Sequence, residues 1–338
     1  MSMKINKHNA DLPAAYYNRV MSDAFEEIIM TKYKWLIEFV KKHKELDFQT
    51  GFDQKQNKSW FSIYRGTSRI LQITYFDKSE RVKIDAAASY MKLASYPKKL
   101  DENHFEAYLN EINNNPNYGK FYIDSNGGRM EGYYQTLIAR RYTFENKADD
   151  DFVIFDKELV LGFINEEEKK SWNEEVVKIQ NENIQRLRSK GKERLPKTIK
   201  AEYGEIDFMG LSWDGDLVIM ELKKDPADGL SPIQINYYGL QFEKLMNEGM
   251  EDRLYKVIRD MILQKQKMGL IKMTPKAKAL PNGLSGRIKK YIIIGNEETV
   301  SETIKNRFAL AKEVFLGNDL DVFTCGKDGT LLPSSQFI

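Results

Sequence analysis

The chain is poor in cysteine and histidine. A single cysteine, Cys325, in 338 residues excludes an internal disulfide and fits a reducing cytoplasm, the expected location. The three histidines, His8, His43 and His104, are scattered. With one thiol beside them they argue against a zinc site. A metal centre in this chain therefore has to be rich in oxygen ligands, which favours Mg²⁺ or Mn²⁺. No apolar run approaches the roughly 18 residues of a membrane span, so no membrane partner is expected. The first residues, MSMKINKHNADLP, lack the apolar core of a secretory signal. Net charge is small as well. The 52 Lys and Arg against 50 Asp and Glu leave +2, which does not announce a nucleic-acid binder.

What is present reads as a globular chain long enough for two domains, with 41% hydrophobic and 30% charged residues. Residues 14–46 carry apolar positions at helical spacing and predict one long helix or two. Strands are predicted at Trp60–Tyr64, Arg69–Phe76 and Arg81–Ala86, joined by short turns as an antiparallel meander. A helix follows near Phe105–Ile112, then a polar breaker around Pro116. The aromatic residues of this segment are read as core ahead of base-stacking platforms. The linker Ser125-Asn126-Gly127-Gly128 marks a boundary. Residues 1–125 are thus expected to form a small α+β N-terminal domain that could serve substrate recognition, and residues 126–338 a second domain.

The second domain opens with a helix, Met130–Tyr142. Strand material follows at Phe152–Phe155 and Leu159–Phe163, with Asp156-Lys157 read as the turn between them. Residues 165–195 form a long charged helical stretch, read as an insertion projecting into solvent or onto a partner. Basic residues gather from Arg186 to Lys200 and again from Lys265 to Lys290. Such clusters either track a phosphate backbone or are solvated helix ends and loops. A helix opens at Ser231-Pro232-Ile233-Gln234, with another over 251–268. Strands at Tyr291–Ile294 and Leu320–Thr324 flank a helix at Ser301–Phe315. The expected class is α/β (α+β), a mixed sheet flanked by helices.

The stretch from Gly204 to Lys224 is the centre of this pattern. It reads as two apolar strands joined at Asp214-Gly215. Three charged side chains, Asp207, Glu221 and Lys223, interrupt strands that are apolar on both faces. Burying such groups costs several kcal/mol unless they are paired or bind a metal. Directly opposed residues of a hairpin share a face. A two-residue loop would put Asp207 and Glu221 on opposite faces. A three-residue loop, Trp213-Asp214-Gly215 with Gly215 left-handed, pairs Ser212 with Asp216, Asp207 with Glu221 and Glu205 with Lys223. The odd loop is therefore predicted. The two carboxylates then repel each other unless a divalent cation lies between them.

Asp207 at a strand end, followed by Glu221-Leu222-Lys223 on the next strand, resembles the core motif of the PD-(D/E)XK nuclease superfamily. Gln234 and Tyr238 are similar to the Gln-x-x-x-Tyr helix of its RecB-type branch. The resemblance covers roughly residues 130–330 and implies a restriction-endonuclease-like fold and a Mg²⁺- or Mn²⁺-dependent nuclease. It implies a nucleic-acid substrate, with DNA expected, in restriction, repair or defence. It assigns Asp207, Glu221 and the Leu222 carbonyl to the metal. Lys223 would orient or deprotonate the attacking water, and Gln234, with Tyr238 on the same helix face, would position water or substrate. The family often carries a helical Glu before the first core strand. Glu131 is the candidate, with Glu174 and Glu175 as rivals. The charged stretch at 165–195 departs from the family pattern. A nuclease acting on both strands often dimerises, so a homodimer is an open expectation.

Plainer readings stand beside these. The charged triplet could be a structural salt bridge of Lys223 with Glu205 or Asp207. Glu131 could simply favour a helix N-terminus, and Gln234 could only cap its helix. A nucleic-acid-binding or scaffold protein without catalysis is the alternative function. A magnesium-dependent phosphatase has no Asp-x-Asp or histidine-rich motif to support it.

Overall fold

The computed structural model describes residues 14–119, 122–123, 126–190, 205–225, 231–274, 280–296, 300–312 and 320–337. Gly204, the linker residue Ser125, the basic run after Lys190, the loop Pro226–Gly229, and Lys276 and Lys278 lie outside those residues. So do the last residues of the helix predicted to reach Phe315.

The first part of the chain builds an antiparallel sheet under helices. A short strand β1 (Ala15–Tyr16) precedes α1 (Asp23–Thr31) and α2 (Lys34–Lys42). Of the two helical readings of residues 14–46 the divided one is found, but only over 23–31 and 34–42: Ala15–Tyr16 is a strand that pairs with Gly162–Phe163, and residues 17–22 are not helical. Each helix turns its apolar stripe inward, Phe25 and Ile29 from α1 and Leu36, Phe39 and Val40 from α2. Strands β2 (Asp47–Asp53), β3 (Lys58–Arg65), β4 (Ser68–Phe76) and β5 (Arg81–Asp85) follow in spatial order β2-β3-β4-β5. The last three are the predicted meander. Strand β2 was not predicted, because Gly51 and flanking aspartates dilute its two aromatics. Helix α3 (Glu102–Asn114) is capped by Asp101, whose carboxylate accepts the His104 N–H at 3.1 Å. A one-turn helix α4 (Pro116–Gly119) ends the segment. Phe25, Phe39, Phe61, Phe105 and Tyr108 are fully buried, so these aromatics are core.

The second part begins with α5 (Glu131–Arg141), β6 (Phe152–Leu159), β7 (Gly162–Phe163) and α6 (Glu166–Ser189). Next come β8 (Ile206–Ser212), β9 (Leu217–Lys223), α7 (Ser231–Leu245) and α8 (Glu251–Lys267). Strand β10 (Ile288–Ile294), α9 (Glu302–Ala311), β11 (Leu320–Cys325) and β12 (Leu331–Pro333) complete it. The sheet order is β12-β11-β10-β9-β8-β6. Strand β10 runs parallel to β9 and β11, and the other pairings are antiparallel. The sheet is therefore mixed, and helices cover both faces. Tyr134 and Ile138 of α5, and Tyr142 just after it, pack on Phe208, Val218, Met220 and Ile293. On the opposite face Phe242 of α7 and Ile258 and Ile262 of α8 pack on Met209, Leu211, Ile219 and Ile292. Each such buried side chain contributes about 1.5–3 kcal/mol.

Two expectations are corrected. Asp156-Lys157 is not a turn. Strand β6 runs through it, with a bulge at Phe155 where Ile154 pairs with Gly210 and Asp156 with Met209. A polar pair inside an apolar run looks like a loop, but here tertiary partners satisfy both charges. Tyr17 donates to Asp156 at 2.7 Å, and Lys157 reaches Asp47 at 2.6 Å. The bulge leaves the Phe155 carbonyl outside the ladder, and buried Lys265 donates to it. Nor does α6 project into solvent. Trp172, Val176, Ile184 and Leu187 are buried, and its polar side chains lock to α7. Gln180 donates to the Ile233 carbonyl at 2.8 Å and accepts from Asn236 at 2.6 Å.

Helix α5 is the wall shared by the two sheets. Arg140 donates to the carbonyls of Val40, Lys41, His43 and Leu46, tying off the end of α2. Thr136 accepts the Gly66 N–H from the β3–β4 turn at 3.1 Å. Strand β1 pairs with β7, and Tyr17 joins the core of the mixed sheet. Met268 and Leu270 join the core of the first sheet. Each core thus draws side chains from both sides of residue 125.

Candidate active site

The β8–β9 hairpin has the predicted odd loop. Ser212 N–H donates to the Asp216 carbonyl at 3.0 Å, and Gly215 N–H donates back to Ser212 at 3.1 Å. Gly215 has φ +88°, a left-handed conformation that glycine adopts without penalty. A Cβ there would also lie 2.7 Å from the Gly283 carbonyl. The ladder pairs Leu211 with Leu217, Met209 with Ile219 and Phe208 with Met220. Continued by one step, that register sets Asp207 opposite Glu221 on the face that carries α7.

The ladder opens where the carboxylates meet. The Leu222 N–H donates to Asp207 Oδ2 at 2.6 Å in place of a backbone carbonyl. The N–H and C=O of one strand residue point to the same edge, so the Leu222 carbonyl faces the same gap. Glu221 is buried, and its Oε1 accepts from Lys223 Nζ at 2.7 Å. This ion pair lies within one strand. The alternative pairings of Lys223 with Glu205 or Asp207 are not the ones formed.

Glu131, at the start of α5, comes to the same place. Its carboxyl feels the Lys223 charge and the Lys224 backbone, both of which favour its ionised form. Burial holds its carboxyl above the usual range despite both. The rivals lie elsewhere. Glu175 pairs with Lys244 at 2.6 Å, and Glu174 stands near Lys170 at 3.8 Å, both exposed on α6. Gln234 donates to the Tyr238 hydroxyl at 3.0 Å, and Tyr238 donates to the Glu205 carbonyl at 3.1 Å. Burial, then the charges of Glu221 and Asp207, raise the Tyr238 hydroxyl far above its ordinary value.

The electrostatics follow from three acids around one lysine. Burial pushes the Asp207 carboxyl well above its ordinary value, and the charges of Glu221 and Glu131 push it further. The Leu222 N–H and Lys223 only partly offset this. Burial alone would lower the Lys223 amine, but the Glu221 carboxylate more than reverses that, and the net direction is up. Lys223 is thus held as a cation.

This donor set fits a small hard cation. Asp207, Glu221 and the Leu222 carbonyl are oxygen donors, and a divalent ion would relieve the repulsion that raises Asp207. Mg²⁺ is commonly held by one or two carboxylates with water completing its shell. Among the described residues, no group of three or more His, Cys, Asp or Glu side chains is close enough to cage a metal. The set therefore suits an ion that keeps water ligands and does not suit zinc.

Of the second basic stretch, several lysines are structural. Lys265 is buried at the β6 bulge, while Lys289 pairs with Asp216 at 2.7 Å and Lys290 with Glu243 at 3.1 Å. Two groups near the site carried no sequence signal for that place. The Lys224 backbone favours the ionised form of Glu131, and Arg19 reaches β6 from the segment before α1, with Nη2 donating to the Glu158 carbonyl at 3.1 Å. No helix of the described residues is long and apolar enough to cross a membrane. Comparison with protein-family models, curated proteins and solved structures finds no match to this chain.

Proposed function

We propose that the protein is a metal-dependent nuclease that hydrolyses nucleic-acid phosphodiesters, with DNA the expected substrate, on a restriction-endonuclease-like fold. One observation carries this reading: the hairpin register sets Asp207 opposite buried Glu221, Glu221 pairs with Lys223, and Glu131 from a third element feels the same lysine's charge. A structural ion pair needs one carboxylate per lysine. The surplus of acid raises the cost of folding and makes sense where a divalent cation completes the site. The mixed sheet with helices on both faces is the architecture that the PD-(D/E)XK resemblance implies.

Asp207, Glu221 and the Leu222 carbonyl would hold the cation, Mg²⁺ or Mn²⁺. When bound, it supplies Lewis-acid polarisation of a phosphoryl oxygen and a lowered pKa for water. Lys223, kept protonated by Glu221, orients the attacking water and offsets the negative charge that grows on the phosphate. Glu131, with its raised proton affinity, takes up a proton from that water through the space it shares with Lys223. The Gln234–Tyr238 pair braces the Glu205 backbone where β8 begins and so holds Asp207 in register.

The test is cleavage of single- and double-stranded plasmid DNA with Mg²⁺ or Mn²⁺, comparing wild type with Glu221→Ala and Lys223→Ala. Loss of at least about a hundredfold in both folded variants is expected. Calcium should support binding better than cleavage. Calcium-driven cleavage at the magnesium rate, or cleavage surviving in both variants, sinks the proposal. Metal-dependent DNA binding without turnover would favour the binding-protein reading.

A further inference from the structure

We propose that the cleft beside the carboxylates is a nucleobase subsite, so that the substrate enters as a single strand or with one nucleotide drawn out of its duplex. The inference rests on the nuclease reading and names the substrate class of that site. The cleft has a volume of about 600 Å³ and lies between the open end of the first sheet and α6 and α7 of the second region. Such a volume suits a ligand of nucleotide size and cannot admit a duplex. Glu205, two residues before Asp207, and Tyr238, which donates to the Glu205 carbonyl, line it, while Asp207, Glu221, Lys223 and Glu131 lie beyond its lining. A base seated in the cleft would leave its phosphate close to the carboxylates.

Aromatic side chains dominate the outer wall. Tyr16, Phe52 and Trp60 line the cleft and are all half-buried. Neither Tyr16 nor Phe52 is stacked on another ring among the described residues, in contrast to the paired aromatics of the cores. Two of these rings are seated on glycines. Trp60 is directly opposite Gly51, and a Cβ at Gly51 would lie 2.4 Å from the indole. Tyr16 is opposite Gly162, where a Cβ would lie 2.4 Å from the phenol ring. The glycines let both rings lie down along the wall. Arg19 adds a guanidinium 5.7 Å from the Trp60 ring centre, and a base can stack on such a plane as well as on a ring.

Charge argues for a base over a backbone. Arg19, Lys55 and Lys169 are matched in the lining by Asp53, Glu166 and Glu205. The cleft therefore offers no net attraction to a polyanion, and ring faces have to supply the affinity. Base stacking does so without regard to sequence.

The experiment measures fluorescence anisotropy of a labelled homopyrimidine strand and of a blunt duplex of the same length, with calcium in place of magnesium. Wild type should bind the single strand at least about tenfold more tightly. Phe52→Ala and Trp60→Ala should each weaken single-strand binding roughly tenfold, the loss of one stacked base, and leave duplex binding unchanged. Trp60→Phe should restore most of the loss, which a purely structural role would not require. Circular dichroism and melting temperature identify any misfolded variant, and Phe52, near the end of β2, provides the second test. Equal affinity for both strands, or unchanged single-strand binding in folded variants, overturns the proposal. If plasmid cleavage persists without strand preference in those variants, the cleft fails and the nuclease reading survives. If single-strand binding depends on the rings in a chain that never cleaves, the cleft stands and the nuclease reading fails.

Discussion

Two clusters of buried charge lie along the mixed sheet, and they are built differently. Around β6 the buried carboxylates each have a counterpart, while Lys265 is held by a backbone carbonyl. Asp47 meets Lys157, Asp150 meets Arg141, and Asp156 meets Tyr17 and Arg19. These groups join the segment between β1 and α1, the first sheet and β6 into one seam. At the β8–β9 hairpin three acids share one lysine. The matched cluster behaves as architecture, since its charges neutralise locally. The unmatched one keeps an electrostatic cost that folding alone would not maintain. Net charge near zero for the whole chain conceals this contrast.

The largest expected effect breaks the matched cluster. Lys157→Met leaves Asp47 buried without its cation and should destabilise the fold by about 3–5 kcal/mol in denaturant melts. Adding Asp47→Asn should return most of that. A double variant as unstable as the single one would mean that Lys157 acts through packing on the Tyr64 ring, 4.2 Å away, and not through charge.

Metal should stabilise only the unmatched site. At about a hundred times the Kd, Mg²⁺ should add about 2.7 kcal/mol to wild type. It should add nothing to Glu221→Ala. Equal shifts in both proteins would place the ion elsewhere.

A smaller effect of opposite sign is expected in chelator. Asp207→Asn keeps an acceptor for the Leu222 N–H and removes the repulsion, so it should stabilise by about 0.5–2 kcal/mol while abolishing the magnesium response. The raised Asp207 carboxyl binds its proton more tightly in the folded state than in the unfolded one. Its contribution is therefore complete below the ordinary carboxylate range and is lost as pH rises. The gain from Asp207→Asn should accordingly grow with pH. A loss of stability in this variant would count against repulsion at the site.

The remaining effects are spread over pH and lie in the buried groups around β6. Burial pushes Asp47 up to about 6, against the pull of Lys157, and pulls Lys265 down to about 8. Asp47 should cost stability as pH rises from about 4 to 6, because the folded state holds its proton longer. Lys265 has the opposite sign. Between about pH 8 and 10.4 the unfolded state binds more protons, and stability should rise. Lys265→Met should flatten that rise relative to wild type.

The hairpin was legible because its constraints are local. Alternation and a left-handed glycine set the register, and one residue more or less would have split Asp207 from Glu221. The start of helix α7 was legible from its Ser-Pro-x-Gln opening for the same reason. Asp156-Lys157 misled because a charged pair within a strand has no local signal of its partners, Tyr17 and Asp47, which lie 139 and 110 residues away. Helix α6 misled because much of what it buries is amide, and an amide looks like surface until Gln180 meets Asn236. Strand β2 was hidden by Gly51, whose missing side chain is the space that Trp60 fills.

By itself the sequence determined most of the elements and the order of the charged motif, and its scarcity of cysteine and histidine is what leads to the expectation of an oxygen-rich metal site. Those depend on neighbours a few residues apart and on composition. Only the tertiary structure decided that Glu131, and not Glu174 or Glu175, stands beside Lys223. Only it joined the aromatic ends of β1, β2 and β3 to the flank of the hairpin. Such choices depend on which surfaces meet when two sheets close on α5, a long-range packing outcome that no local pattern encodes.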